Sequence, residues 1–173
     1  MILKSTFILG GASSGKSAFA EAMVKATNAP RVYIATSQAY DKEMQAKIAS
    51  HRKSRGKGWR TIECPLGVSE ALSDVAEGEV VLLDCATMWL NNQMFANNDI
   101  AQETENLLAA MAACKGRVVT VSNEVGMGIV PENALARQFR DAQGKLNQKL
   151  ADAADLSVFV VAGLPLVLKG TLP

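Results

Sequence analysis

Residues 10–17 read Gly10-Gly11-Ala12-Ser13-Ser14-Gly15-Lys16-Ser17, and this stretch decides the fold of the chain. It matches the pattern G-x-x-x-x-G-K-[ST], in which glycines let the backbone curl so that successive N–H groups face a bound phosphate. The lysine of the pattern can reach the outer phosphates of a nucleotide, and the serine hydroxyl can bind Mg²⁺. The alternative interpretation is a glycine-rich turn with a chance Lys-Ser pair.

The flanking segments supply the context that a phosphate loop requires. Residues 2–9 form an apolar run that predicts a strand, and residues 17–26 form an Ala-rich run that predicts a helix. The N-terminus of such a helix would add the positive end of its dipole to the phosphate site.

Further apolar runs, rich in Val, Ile and Leu without clear alternation, predict strands that are buried on both faces. They lie at residues 31–36, 79–85, 117–123 and 156–163, with one more short strand over 166–169. Helices are predicted at residues 41–55, 68–75, 99–114 and 132–154. This alternation implies right-handed crossovers and a mostly parallel sheet with flanking helices. The expected fold class is α/β, a RecA-like P-loop NTPase fold, with one nucleotide-binding catalytic domain over residues 1–173.

The last predicted helix carries the clearest apolar stripe, and Pro131 precedes it, where a missing N–H does no harm. The stripe repeats at helical steps and should place one face against the sheet. Its members are Leu135, Phe139, Ala142, Leu146, Leu150 and Ala153.

Composition excludes several classes of protein. The chain has 173 residues, of which 49% are hydrophobic and 20% charged, as in ordinary globular domains. Its net charge of +1 gives no indication of nucleic-acid binding. The most apolar stretch, residues 156–168, is shorter than a membrane span, and no signal-peptide pattern is present. Three scattered cysteines and one histidine argue against zinc and favour free thiols, so we expect a cytoplasmic protein.

Ligands of open parallel sheets bind beyond the carboxyl ends of the strands. The predicted ends are Gly10, Thr36, Asp84, Asn123 and Gly163. Asp84 follows the apolar residues of a predicted buried strand, and it is the acidic partner that a phosphate loop needs for Mg²⁺. The alternative is that Asp84 only caps the next segment.

The only histidine, His51, lies in a basic segment over residues 41–60. One interpretation is an amphipathic helix with a solvated basic face. The other interpretation is that His51 is a nucleophile that attacks a phosphate. Imidazole is largely neutral near pH 7, and histidine forms covalent intermediates. Arg52 and Arg55 beside it would suit a phosphate under attack.

Six segments together carry a resemblance to a known family. They are GGASSGKS at 10–17, YIATSQAYDKEM at 33–44, HRKSRGKGWRTIE at 51–63, VVLLDCATMWLNN at 80–92, the run from SNEVGMGIVP to ADAAD at 122–155, and VAGLPLVLK at 161–169. The chain resembles the bifunctional adenosylcobinamide kinase/adenosylcobinamide-phosphate guanylyltransferase family. The resemblance implies phosphorylation of adenosylcobinamide by ATP or GTP, then transfer of GMP from GTP to that phosphate through a guanylylated histidine, which here is His51.

The resemblance also implies a set of site residues. The catalytic residues would be His51 and Lys16, and Ser17 and Asp84 would bind Mg²⁺. Nucleotide contacts would come from residues 10–17 and from Ala35, Thr36, Ser37, Arg52, Lys53, Ser54, Arg55, Glu63 and Asp84. Glu63 could accept two hydrogen bonds from guanine, although a solvated glutamate at a strand end is the alternative.

Partners follow from the same resemblance. The corrinoid is expected near the loop over residues 123–131, which could instead be a purely structural connection. A homotrimer is implied, and Met88, Trp89 and Leu90 could serve either an interface or the core. The residues by themselves are also consistent with two other functions. One is a P-loop small-molecule kinase without a covalent histidine, and the other is a nucleotide switch or assembly module.

Overall fold

The computed structural model describes residues 3–38 and 56–173 of the chain. The strands are β1 (Ser5–Gly10), β2 (Arg31–Ala35), β3 (Trp59–Glu63), β4 (Val80–Asp84), β5 (Arg117–Asn123), β6 (Leu156–Val161) and β7 (Leu164–Lys169). The helices in these ranges are α1 (Lys16–Lys25), α2 (Val68–Ser73), α3 (Ala86–Phe95), α4 (Ile100–Ala113) and α5 (Ala134–Ala153). The predicted helix at 41–55 lies outside the described residues.

One sheet joins the described strands in the order β3-β2-β4-β5-β1-β6-β7. Strands β1 to β6 run parallel to one another, and β7 pairs antiparallel with β6. The predicted mostly parallel sheet is therefore confirmed. Because β1 and β4 flank β5, the ends of these three strands lie side by side at one edge of the sheet.

Apolar side chains fill both faces of the sheet. On one face, α1 packs Ala20 and Val24 against side chains of β1, β4 and β5, such as Ile8. On the other face, α2 to α5 bury residues that include Leu72, Trp89, Leu107, Leu146 and Leu150. This two-sided burial explains why the central strands lack alternation.

Two elements were not predicted. The edge strand β3 is half-exposed, because its sequence Trp-Arg-Thr-Ile-Glu lacks the apolar run of a central strand. Helix α3 follows β4 almost directly, so its residues read as a continuation of the apolar strand. Trp89 is 2% exposed and Leu90 is fully buried, which places both in the core of this chain.

The predicted stripe on α5 is confirmed in its middle and is wrong at both ends, since Ala153 is also exposed. Leu146 and Leu150 are buried, but Leu135 is 56% exposed. The helix has 20 residues and is about 30 Å long. A six-residue strand such as β1 spans about 20 Å, so the first turns of α5 extend past the sheet. The helix begins later than predicted, with Asn133 as the N-cap that accepts a hydrogen bond from the Ala136 N–H.

We expect the buried middle and the exposed start of this stripe to respond differently to truncation. Leu146→Ala should lower the free energy of unfolding by about 2–5 kcal/mol, because it opens a cavity in the core. Leu135→Ala on the same helix should change it by no more than about 0.5 kcal/mol, since the side chain is largely in water. Urea denaturation of both variants measures the difference, and equal losses would contradict the burial described.

Candidate active site

The loop between β1 and α1 has the backbone shape of a phosphate cradle. Ser13 and Gly15 take left-handed conformations, with φ of 54° and 93°. Gly10 has no room for a side chain, because a Cβ there would lie 2.4 Å from Ser14 Oγ and 2.6 Å from the Val160 carbonyl oxygen. The Ser14 hydroxyl itself is buried and has no hydrogen-bond partner in the described structure. The cradle is therefore closely packed on its sheet side.

The turn between β6 and β7 supports this loop from outside. The Gly163 N–H donates to the Ser14 carbonyl over 2.8 Å. A Cβ on Gly15 would lie 3.1 Å from the Gly163 Cα, so the two backbones are in near contact. Ala162 and Gly163 both have positive φ, as a tight hairpin requires. Gly163, which was predicted as a strand end, is instead the turn residue that braces the loop.

Lys16 begins α1 and turns back over the loop. Its Nζ donates to the Gly11 carbonyl over 3.0 Å. Burial lowers the pKa of Lys16, and the negative charge of the nearby Asp84 carboxylate acts in the opposite direction. A partly desolvated ammonium group attracts a phosphate more strongly than one in bulk water does. Ser17 follows in the first turn of the helix.

Asp84 ends β4 with its carboxylate held by a neighbouring strand. The Tyr33 hydroxyl donates to Asp84 Oδ2 over 2.9 Å. The helix after Asp84 is capped by Cys85, whose Sγ accepts from the Met88 N–H at 3.4 Å. The alternative that Asp84 caps this helix is therefore wrong. Burial raises the pKa of Cys85 to about 12, so its thiol stays neutral, and all three cysteines are free as predicted.

Thr36 ties the end of β2 to the end of β4. Its hydroxyl donates to the Cys85 carbonyl over 2.7 Å and accepts from the Cys85 N–H over 2.8 Å. The Asn92 side chain of α3 donates to the carbonyls of Thr36 and Pro65. These bonds engage the Thr36 hydroxyl within the protein, so a nucleotide contact at this position would come from the backbone or from Ser37.

The other predicted site residues are divided between two parts of the chain. Glu63 ends β3, is exposed, and pairs in register with Ala35. It therefore lies at the same edge of the sheet as Asp84, which pairs with Ala35 from the other side. His51, Arg52, Lys53, Ser54 and Arg55 lie outside the described residues.

A buried polar cluster at the end of β5 was not predicted. The cluster consists of Thr87, Ser122, Gln143 and Asn147, which hydrogen-bond to one another or to the backbone of Asn123. Gln143 is fully buried. A sequence signal existed, since two amides four residues apart interrupt the apolar face of α5, but their partners come from distant segments.

The loop after β5 begins beside the phosphate loop and exposes apolar side chains. The Glu124 N–H donates to the Gly10 carbonyl over 3.0 Å. The Glu124 carboxylate accepts from the N–H groups of Gly126 and Met127 and so holds the turn. Met127 and Ile129 are 79% and 97% exposed. A cavity of about 630 Å³ opens near the end of this loop, between α3, the start of α4 and the first turns of α5.

Comparison with known proteins identifies the family. Residues 6–168 match the model described as cobinamide kinase / cobinamide phosphate guanyltransferase. The chain belongs to this family. It is 45% identical to the bifunctional adenosylcobalamin biosynthesis protein CobU of Salmonella typhimurium, with 94% of this chain and 98% of that protein covered. It is 43% identical to the corresponding CobP of Pseudomonas aeruginosa, with 94% and 96% covered. The resemblance drawn from the sequence is confirmed.

Solved structures show the same fold at low sequence identity. A protein from Pyrococcus horikoshii OT3 superimposes with a TM-score of 0.56 at 9% identity, covering 98% of this chain and 87% of that one. An ATPase of a bacterial type III secretion system gives 0.54 at 12% identity, covering 95% of this chain and 56% of that one. The predicted α/β fold class, a mostly parallel sheet with flanking helices, is confirmed. Among the described helices, none is both long and apolar enough to cross a membrane.

The packing around Gly10 yields a test with a matched control. Gly10→Ala should weaken ATP binding by roughly tenfold or more, because the new methyl group must displace Ser14 or the β6 backbone. Gly11→Ala should bind ATP within about threefold of the parent, since a Cβ there meets nothing within 4 Å. Isothermal titration with ATP measures both. Equal binding by the two variants would contradict the close contact at Gly10.

Proposed function

We propose that this chain is a bifunctional enzyme that phosphorylates adenosylcobinamide with ATP or GTP and then transfers GMP from GTP to the product, forming adenosylcobinamide-GDP and pyrophosphate. The observation that carries the proposal is the family match over residues 6–168, and the close packing of the glycine-rich loop against the sheet supports it. The proposal treats residues 1–173 as one catalytic domain. The homotrimer and the cytoplasmic location stay predictions.

The first step needs little covalent chemistry from the protein. In phosphoryl transfer, catalysis comes mainly from positioning and from stabilisation of charge on the phosphoryl oxygens. The loop amides and the N-terminus of α1 would hold the triphosphate, and Lys16 would leave the Gly11 carbonyl for its outer phosphates. Partial burial lowers the pKa of Lys16, and the charge of a bound triphosphate would favour its protonated form.

The donor set at the loop fits Mg²⁺. The Ser17 hydroxyl and the Asp84 carboxylate are hard oxygen donors of the type that Mg²⁺ prefers. Only Oδ2 of Asp84 bonds Tyr33, so the other oxygen could face a hydrated ion. When bound, Mg²⁺ would neutralise part of the negative charge of the triphosphate. Tyr33 would then keep the carboxylate in place.

The second step would use His51 as the nucleophile. A ring nitrogen attacks the α-phosphorus of GTP, the bond to the bridging oxygen breaks, and pyrophosphate leaves with the electron pair. A phosphate oxygen of adenosylcobinamide phosphate then attacks the same phosphorus and releases the histidine. Arg52 and Arg55 would offset the charge that develops, and Lys53 and Ser54 would contact the nucleotide. The support for these roles is the family pattern, because the segment lies outside the described residues.

Glu63 would select guanine. A carboxylate can accept hydrogen bonds from N1 and N2 of guanine, whereas adenine has no donor at either position. The support is its place at the end of β3, at the same edge as the phosphate loop, on an exposed strand end where a base could stack or pair.

The corrinoid would lie against residues 123–131, the end of β5 and the loop that follows it. A large macrocycle with apolar faces suits the exposed side chains of Met127, Ile129 and Val130. The hydrogen bond between Glu124 and Gly10 connects this loop to the phosphate loop, so an acceptor held there would be close to the nucleotide. The interpretation of this loop as a purely structural connection does not account for side chains so exposed.

The proposal predicts where the reaction stops in a variant. With adenosylcobinamide, ATP, GTP and Mg²⁺, the parent enzyme should yield adenosylcobinamide-GDP. His51→Ala should accumulate adenosylcobinamide phosphate, because only the guanylyl carrier is lost. Mass spectrometry of the products measures both outcomes.

Lys16→Ala is the matched control, and it should form neither product because both steps use the phosphate loop. A parent enzyme that makes only the phosphate would instead be a simple kinase without a covalent histidine. A parent that binds nucleotide and leaves adenosylcobinamide unchanged would be a switch or assembly module. Either result would overturn the proposal.

A second prediction concerns the base. Glu63→Gln should reduce the ratio of the affinity for GTP to the affinity for ATP by roughly tenfold, since one charge-assisted hydrogen-bond acceptor is lost. Glu77→Gln, an exposed change in the connection that precedes β4, should leave the preference unchanged. Competition binding with GTP and ATP measures the ratio. An unchanged ratio in Glu63→Gln would assign Glu63 to the solvated surface.

A further inference from the structure

Strand β5 occupies the central position of the site. It lies between β1, which leads into the phosphate loop, and β4, which ends at Asp84. In register, Gly10 is opposite Asn123 and Asp84 is opposite Val121. Asn123 is therefore the last residue of the strand that separates the two groups proposed to hold the triphosphate and its metal ion.

Alternation along β5 decides the direction of the Asn123 side chain. Side chains two residues apart in a strand project to the same face of the sheet. Val121 packs in the core cluster that contains Ala20 and Val24 of α1, so Asn123 projects to the face of α1. This is the helix that begins with Lys16.

The backbone of Asn123 is held on both sides by side chains. Its N–H donates to Thr87 Oγ1 over 2.8 Å, and its carbonyl accepts from Asn147 Nδ2 over 3.1 Å. The next N–H, that of Glu124, donates to the Gly10 carbonyl over 3.0 Å. The strand end is thus connected to α3, to α5 and to the phosphate loop.

A buried polar set lies behind this position. Ser122 Oγ bonds Asn147 Oδ1 at 2.7 Å and accepts from Gln143 Nε2 at 2.9 Å. Buried hydrogen-bonded networks of this kind make a unique local arrangement rigid. Two members of this cluster, Thr87 and Asn147, hold the backbone of Asn123, and the other two support them.

The side chain of Asn123, unlike its backbone, is not held by the described residues. The carboxamide of Asn123 is half-buried and makes no hydrogen bond with any residue in 3–38 or 56–173. A carboxamide carries two N–H donors, and phosphate oxygens are acceptors only. Because the backbone of Asn123 is held in place, its carboxamide can reach a phosphoryl oxygen beside the phosphate loop with little rearrangement of the strand.

We propose that Asn123 is a catalytic residue of the kinase step, donating a hydrogen bond from Nδ2 to a γ-phosphoryl oxygen of the nucleotide. The inference rests on the proposed function. In that step the acceptor hydroxyl oxygen bonds to the γ-phosphorus, and the bond to the β–γ bridging oxygen breaks with its electron pair. The hydroxyl proton is released to water, and Asn123 neither takes nor gives a proton. A nucleoside diphosphate has no γ-phosphoryl group and would not make this contact.

The test compares a triphosphate analogue with a diphosphate. Asn123→Ala should bind AMP-PNP with Mg²⁺ roughly tenfold more weakly than the parent does, the loss typical of one hydrogen bond to a charged group. Its affinity for ADP should stay within about twofold, because only the γ-phosphoryl contact is removed. Asn123→Asp, which keeps the size and adds a negative charge, should lose more AMP-PNP affinity than Asn123→Ala. Isothermal titration measures these affinities.

A matched control is Asn106→Ala, on the exposed face of α4, which should leave both affinities at the parent values. Equal losses for AMP-PNP and ADP in Asn123→Ala and Asn123→Asp would assign Asn123 a structural role. No loss for either ligand would also overturn the inference. A failure of the proposed function would be distinguishable from a failure of this inference. The parent enzyme would then not phosphorylate adenosylcobinamide, whatever the ratio of the affinities for AMP-PNP and ADP.

Discussion

The close contact between the phosphate loop and the strands behind it is the constraint on which the site depends. Gly10 lies so near Ser14 and the β6 backbone that no side chain fits, and Gly163 bonds the loop from outside. Held in this way, the loop can present its N–H groups to an anion without first having to fold around it. Part of the binding energy that a flexible loop would lose to ordering is therefore retained.

The parallel sheet brings the remaining groups to this loop. Every parallel strand ends at the same edge, so Asp84, Asn123 and Glu63 reach one region from segments that are far apart in the chain. Cross-links between the strand ends then stiffen the edge. Thr36 joins β2 to the Cys85 backbone, and Thr87 joins α3 to β5. Some polar side chains at this edge therefore support the backbone, and others are the ones that we propose to contact ligands.

The elements that the sequence did not predict are those whose hydrophobic pattern is weak or runs on into a neighbouring element. The central strands were found because burial on both faces leaves an apolar run that needs no partner to be recognised. The edge strand β3 was missed because it is half in water, and α3 was missed because it follows β4 almost without a break. On α5, Leu135 matched the apolar period but extends beyond the sheet, so periodicity alone could not tell that nothing covers it.

The sequence by itself determined the phosphate loop, the α/β fold class, the family and the identity of the candidate residues, because each is written in a local motif or run. Only the tertiary structure decided that Cys85 rather than Asp84 caps α3 and that Gly163 braces the loop. It also decided that the predicted strand end Asn123 has its backbone held and its side chain free of bonds to the described residues. The physical reason is that a hydrogen bond between distant segments depends on strand order and register. Neither is visible in the spacing of residues along one strand, since both arise from how the strands assemble.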